Sequence, residues 1–249
     1  MINQVSGKGY SRCNQGFTLL EILISISIFA VLATMVYGSL NAVLSKNDAI
    51  RESTTVYEMA KNTLNRISMD LTATFVTQYP DYQIPGALDS PDPYRFYGDE
   101  DFQQTTGFST LRFASTEHLG ISSNVVSGLT RIIYYADRSD DPKKGPFVLR
   151  RSDNPFPYDL DPDEPPYRPL DTLDDPVICE KVESFSLTFV DEAGDEHRTW
   201  DSDSEMTRFA TPRAVIINMK IASETGTREF TTRVDIPVYR KRIENVRRQ

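Results

Sequence analysis

One stretch leaves this chain little choice: from Phe17 to Ser45 the only charged side chain is Glu21. It reads Phe17-Thr18-Leu19-Leu20-Glu21, then continues apolar from Ile22 through Ala33 and on to Leu44. A helix of about 20 apolar residues, rising about 1.5 Å per residue, crosses the hydrocarbon core of a bilayer. Lys8 and Arg12 stand just before the run, and cations flanking a spanning helix stay cytoplasmic. The pattern predicts a single-pass anchor with its N-terminus in the cytoplasm and its carboxyl-terminal body across the membrane.

A secretory signal would also show basic residues and then an apolar run. Two features argue against one. Glu21 sits one turn into the run, and the run passes Ala33 without a small-x-small cleavage site before a polar start. The carboxylate needs a reason, because a charge in a membrane helix costs roughly 2.5–3.5 kcal/mol on insertion scales, less near the interface. A cut after Gly16 would free a positive amine at Phe17, four residues from Glu21, on the same chain or a neighbour. The bland alternative is a carboxylate that snorkels to the interface. These readings make 1–16 a removable leader and 17–45 a transmembrane and assembly helix.

Charge excludes one class of partner. The chain carries a net -9, and losing Lys8 and Arg12 with the leader gives -9 - 2 = -11. So acidic a body is unsuited to gripping a nucleic-acid backbone, which calls for clustered Lys and Arg. Of the two cysteines, Cys13 falls in the leader and Cys179 is left unpaired, so no internal disulfide is expected. Cys179 reads as a small core residue.

Beyond the membrane the helix is expected to continue over 46–79, to about Thr77, for a total of roughly 90 Å. Val56, Met59, Ala60, Leu64, Ile67, Leu71 and Phe75 recur at helical spacing, with Asp48, Arg51, Glu52, Glu58, Lys61, Arg66 and Asp70 as polar surface. Pro80 and Pro85 end the pattern. Gly38 either permits bending where the two halves meet or is merely tolerated. The body, 80–239, reads as antiparallel strands at Thr110–Ser115, Thr130–Ala136, Phe147–Arg151, Val182–Val190, Ala214–Ile221 and Arg228–Ile236. Alternation such as Phe185, Leu187, Phe189 against Ser184, Ser186, Thr188 marks half-buried strands. Residues 80–107 read as loop, and Asp191 to Trp200 as a turn with a return strand. The sum is an α+β fold: a long N-terminal helix laid on antiparallel β-sheets.

Here the chain resembles the type IV pilin and type II secretion pseudopilin superfamily, whose hallmark Gly-Phe junction, Thr-Leu-Leu-Glu and apolar helix stand as Gly16 to Glu21. The resemblance implies cleavage between Gly16 and Phe17 by a prepilin peptidase, N-methylation of Phe17, and docking of Glu21 onto a neighbour's terminal amine. The body is similar to the J class of minor pseudopilins. Its motifs stand as Leu111-Arg112-Phe113-Ala114-Ser115, Ile132-Ile133-Tyr134-Tyr135, Phe147 to Arg151, Val182 to Phe189, Gly194, Trp200 and Pro212 to Ile216, with a departure in the long insertion between Arg151 and Asp175. That class implies an inner-membrane subunit of a pseudopilus tip complex. Its partners would be the I and K classes of minor pseudopilin, the major pseudopilin, the prepilin peptidase and the inner-membrane assembly platform. The complex would initiate assembly and support export of folded proteins across the outer membrane. Two alternatives stay open: a minor type IV pilin priming an external pilus, and a signal-anchored periplasmic binding module that never polymerises.

Other constellations carry less. Residues 137–176 hold nine prolines and eleven acidic residues and read as an exposed acidic loop. Within it Asp159-Leu160-Asp161-Pro162-Asp163-Glu164 alternates carboxylates like a calcium loop, but Glu164 and Leu170 occupy the places where an EF-hand needs Gly and Glu. Calcium held in another way stays open beside a plain solvated loop; no other cofactor or metal is expected. His118 and His197 lack any catalytic context, so no enzyme activity is expected. Trp200 reads as core, and the tail 240–249 as a frayed basic end or a docking element.

Overall fold

The computed structural model describes residues 18–85, 91–100, 107–116, 128–139, 141–154, 175–224 and 226–243, and of 45–50 the backbone alone. Gly16, Phe17, His118, the run Asp159 to Glu164 and residues 244–249 lie outside the described residues. The chain divides into two compact units, Met1–Ile50 and Arg51–Gln249. One helix, α1 (Leu19–Thr72), contributes to both.

In the first unit, Leu19–Leu44 is a 26-residue stretch long and apolar enough to cross a membrane, and none of it is buried by protein. Three of its hydroxyls turn back onto the helix. Ser25 donates to the Glu21 carbonyl at 2.7 Å, Ser27 to Leu23 at 2.8 Å, and Thr34 to Val31 at 2.8 Å. Such bonds back to the helix satisfy groups that lipid could not.

In the second unit, α1 buries Val56, Ala60, Thr63, Ile67, Asp70 and Leu71, with Met59 and Leu64 half-buried beside them. The strands are β1 (Thr74–Phe75), β2 (Tyr97–Glu100), β3 (Ser109–Ser115), β4 (Thr130–Arg138), β5 (Phe147–Asn154), β6 (Val177–Cys179), β7 (Val182–Val190), β8 (Glu196–His197), β9 (Trp200–Asp201), β10 (Ala214–Ser223) and β11 (Gly226–Asp235). They form a seven-stranded sheet ordered β6-β5-β4-β3-β2-β9, with β1 also on β3, and a four-stranded sheet ordered β11-β10-β7-β8. Every pairing between named strands is antiparallel. The predicted α+β architecture is the one observed.

One core joins these layers. Phe185, Leu187 and Phe189 of β7, Val215, Ile217 and Met219 of β10, and Phe113, Ile132 and Leu149 of the larger sheet belong to one buried cluster with Val56, Ala60, Ile67 and Leu71 of α1. Phe96 stacks on Phe113 and meets Phe189 edge-on, while Phe189 reaches Trp200. Gly98 of β2 lies under Phe189: an added Cβ would stand 2.0 Å from Cζ of that ring, so no side chain fits there.

Several expectations need correction. The helix stops at Thr72, short of Thr77, because the chain is captured by a strand: Thr74 pairs with Ser115 and Phe75 with Ala114. Ser115 and Thr116 then cover the exposed helix end, the Ser115 hydroxyl reaching the Asp70 carbonyl at 3.1 Å and the Thr116 amide that of Ala73 at 3.1 Å. Asp70 is not polar surface. It is fully buried, and takes Arg151 Nε at 2.7 Å, Arg66 at 2.6 Å and the hydroxyl of Tyr134. Spaced three residues from Ile67, it lies on the core stripe, and position rather than charge decides its fate. Residues 80–107 contain β2, and 137–176 contain the end of β4 and all of β5. The return strand after Asp191 is only the two residues of β8, after which Trp200 crosses to the other sheet as β9.

Arg151 is as buried as Asp70, and its second arm reaches Asp153 at 2.7 Å. Burial works against its charge, but the bonds to Asp70 outweigh that and raise its pKa. Removing one member strands the other without water, which costs about 3–5 kcal/mol. Asp70→Ala should therefore lower the denaturation midpoint of the full chain in detergent micelles by an amount worth about 3–5 kcal/mol. Cys179 is 1% exposed, and burial pushes its thiol up to about 12. At neutral pH the folded chain should resist alkylation at Cys179, and denaturant should restore the labelling.

Candidate functional site

The candidate site begins where the apolar helix begins. Thr18 precedes the first helical residue, and its hydroxyl accepts from the Glu21 amide at 3.3 Å. The Glu21 carboxylate reaches back, taking the Thr18 amide at 3.0 Å and the Thr18 hydroxyl at 3.1 Å. This reciprocal pair is a capping box, in which two donors orphaned by the helix start are satisfied at once. Glu21 also places negative charge against the positive end of the helix dipole. Leu19 and Leu20 remain 81% and 68% exposed, so the carboxylate sits at the border of an uncovered apolar surface.

Of the residues singled out in the sequence, Glu21 is seen in this geometry, while Gly16 and Phe17 lie outside the described residues. Thr18 was missed as a partner. Its signal was available, since Thr-x-x-Glu ahead of an apolar run is the sequence mark of a capping box. The box keeps Glu21 bonded and at the helix start. It leaves the carboxylate able to accept a further donor, as a carboxylate has about four lone-pair sites.

The body carries a second organised region around Arg240. The tail is not a frayed solvated end at this residue: Arg240 is 3% exposed. Its guanidinium lies 3.3 Å from the centre of the Tyr82 ring, and donates to the carbonyls of Phe209 at 2.6 Å, Ser202 at 2.7 Å and Thr77 at 3.2 Å. Asp92 stands at 3.4 Å and Asp203 at 3.7 Å. Burial and the charge of Asp92 push the Asp203 carboxyl above its ordinary value, against bonds from the Asp92 amide and Tyr82. Arg242 pairs with Asp191, which also accepts from the amides of Ala193 and Asp195 at 2.8 and 2.9 Å. Nothing in the composition of a basic tail distinguishes Arg240 from Lys241; a tertiary pocket does.

Arg240 fixes a loop that holds strain. Arg208 and Phe209 both have left-handed backbones, with φ of 52° and 59°. Such positions cost about 1–3 kcal/mol each for residues with side chains, and persist only where surroundings over-determine them. Here they do: Trp200 Nε1 donates to the Ala210 carbonyl at 3.0 Å, and the Thr207 hydroxyl to that of Asp201 at 2.5 Å. His197 lies 3.3 Å from Asp191 and edge-on to Trp200. Among the described residues no group of three or more His, Cys, Asp or Glu converges as metal ligands.

Comparison with known proteins bears mainly on the N-terminal segment. Residues 11–37 match the prokaryotic N-terminal methylation motif. No curated protein matches the chain. Among solved structures, the chain is similar to a type IV-like pilin from Thermus thermophilus, at 9% identity and a TM-score of 0.40, over 73% of this chain and 96% of that one. The segment that holds the capped Glu21 and most of the uncovered apolar helix thus matches a prokaryotic N-terminal methylation motif.

Proposed function

We propose that this chain is a non-enzymatic structural subunit of a pilin-like fibre, anchored in the inner membrane until it assembles. The observation that carries the reading is the 26-residue apolar helix, uncovered by protein, beginning at a bonded carboxylate inside a methylation motif. Such a surface needs lipid or other helices against it. A prepilin peptidase cuts between Gly16 and Phe17 and methylates the new amine. Glu21 then accepts the Phe17 amine of a neighbour, which neutralises the charge as the helix leaves the bilayer for the helical bundle.

The finer reading is a minor pseudopilin of the J class in a type II secretion system. The order of strand motifs from Leu111 to Ile216 favours it, and each of those motifs lies on or beside an observed strand. The body then stands on the periplasmic side. It joins I- and K-class minor pseudopilins in a tip complex that starts assembly of the major pseudopilin on the inner-membrane platform. A minor type IV pilin would share the processing and the anchor but not those partners.

Mass spectrometry of the membrane-extracted chain should find it starting at Phe17 and carrying one added methyl group. Retention of the first sixteen residues would overturn the reading. Glu21→Ala should be cleaved like the parent yet fail to enter fibres. Co-purification of the processed chain with I- and K-class subunits separates the secretion reading from the pilus reading, which predicts no such complex.

A further inference from the structure

Of the four strands at the ends of the two sheets, three leave little edge for another strand. β8 and β9 have two residues each. β6 has three, and Thr63 of α1 bonds its Ile178 carbonyl at 2.7 Å. β11 is different. Its ten residues pair with β10 in unbroken register on one side, and with no described strand on the other. It contains no proline, lysine or bulge, the usual devices that blunt an edge against pairing.

The Ile236 amide, just past β11, donates to the Arg213 carbonyl at 2.9 Å, so even-numbered residues bond toward β10. Strand backbones alternate, and Thr227, Glu229, Thr231, Arg233 and Asp235 therefore turn their amides and carbonyls to the open edge. The side chains of these five share one face, and all are exposed. On the other face Phe230 stands beside Tyr57 of α1, ring centres 6.2 Å apart, and Tyr57 is 60% exposed. The edge thus offers free main-chain groups and a partly exposed aromatic pair.

The order of charges fits one occupant. About a two-fold axis at Thr231, an antiparallel second β11 sets Glu229 of each copy against Arg233 of the other. Thr231 meets its own mate, Thr227 meets Asp235, and Phe230 meets Thr232, an aromatic against a β-branched residue. Odd-numbered residues face odd-numbered ones, so the groups that point to the edge are the groups that pair. An axis at Glu229 or Arg233 would set like charges face to face, and an axis one residue from Thr231 would lose both ion pairs. We infer that β11 docks on β11 of a second copy of this chain, joining two four-stranded sheets into one. Within one copy Glu229 lies 3.9 Å from Lys220 and Arg233 3.2 Å from Asp235, exposed pairs worth little alone. Docking links them into an alternating series, Lys220, Glu229, Arg233, Asp235, that crosses the interface. The surface lies wholly in the body and needs neither leader cleavage nor Glu21, so it and the fibre reading fail separately.

The test is disulfide trapping of the full chain in detergent micelles, which impose no common direction on two anchors. Hydrogen-bonded antiparallel mates stand about 5.5 Å apart between Cα atoms, within disulfide reach. Cys179 is buried, so Cys13→Ser leaves no exposed native thiol. In that background Thr231→Cys should give a cross-linked dimer on mild oxidation. Thr227→Cys should not, because its two copies would lie roughly 27 Å apart along the paired strands. Adding Glu229→Arg or Arg233→Glu to Thr231→Cys should cut cross-linking at least about tenfold, since both ion pairs become repulsions. The two reversals together should restore it. Absence of a cross-link through Thr231→Cys would overturn the inference. So would an equal one through Thr227→Cys, single reversals without effect, or a double reversal that fails to restore the dimer.

Discussion

A predominantly apolar helical stretch of 26 residues with no protein covering it sets the terms for the rest of this molecule. Water cannot be its permanent surrounding, because apolar area exposed to water is unfavourable in proportion to its extent. Lipid and other helices are the two media that suit it, and both forbid an unsatisfied polar group. Four of its polar side chains follow that rule. Ser25, Ser27 and Thr34 each return a hydrogen bond to the helix, and Glu21 is bonded at the one place where a helix has donors to spare. The carboxylate survives there because helix starts are intrinsically cationic.

The body solves a similar problem by a different route. Asp70 and Arg151 are both removed from water, each supplying the other's charge, and Tyr134 closes the site. Burial pushes the Tyr134 hydroxyl well above its ordinary pKa, with Asp70 adding to the shift, so it stays a neutral donor. A buried pair of this kind contributes little net stability over an apolar replacement, yet is costly to break. It acts as a register device. Only one rotation and one height of α1 bring Asp70 to Arg151 on β5 while Thr63 donates to the Ile178 carbonyl of β6 at 2.7 Å.

What could be read from the sequence follows from this physics. The long strands were legible because alternation is a direct imprint of a half-buried sheet: β7 runs from Val182 to Val190 as Phe185, Leu187 and Phe189 require. The apolar helix was legible because its constraint is local. Asp70 was misread because a residue's charge was weighed above its helical phase, though Ile67 and Leu71 on either side had already fixed that phase. β2 escaped because Gly98 gives it no alternation, and the reason for that glycine, the Phe189 ring, lies on another sheet. Arg240 escaped for the same reason, since its partners come from Thr77, Asp92 and Ser202, far away along the chain.

These misreadings share a cause. Where a residue's surroundings are supplied by its own neighbours in sequence, as for Thr18 and Glu21, chemistry can be inferred from spacing alone, and the methylation motif is recognised by that spacing. Where they are supplied by distant segments, identity says little and placement says most. The loop through Arg208 and Phe209 belongs to the second kind. Its strained backbone at Arg208 and Phe209 is held by an arginine more than thirty residues later. Strain of that sort must be offset elsewhere, and the fold offsets it with Arg240, which makes three carbonyl bonds and lies over the Tyr82 ring.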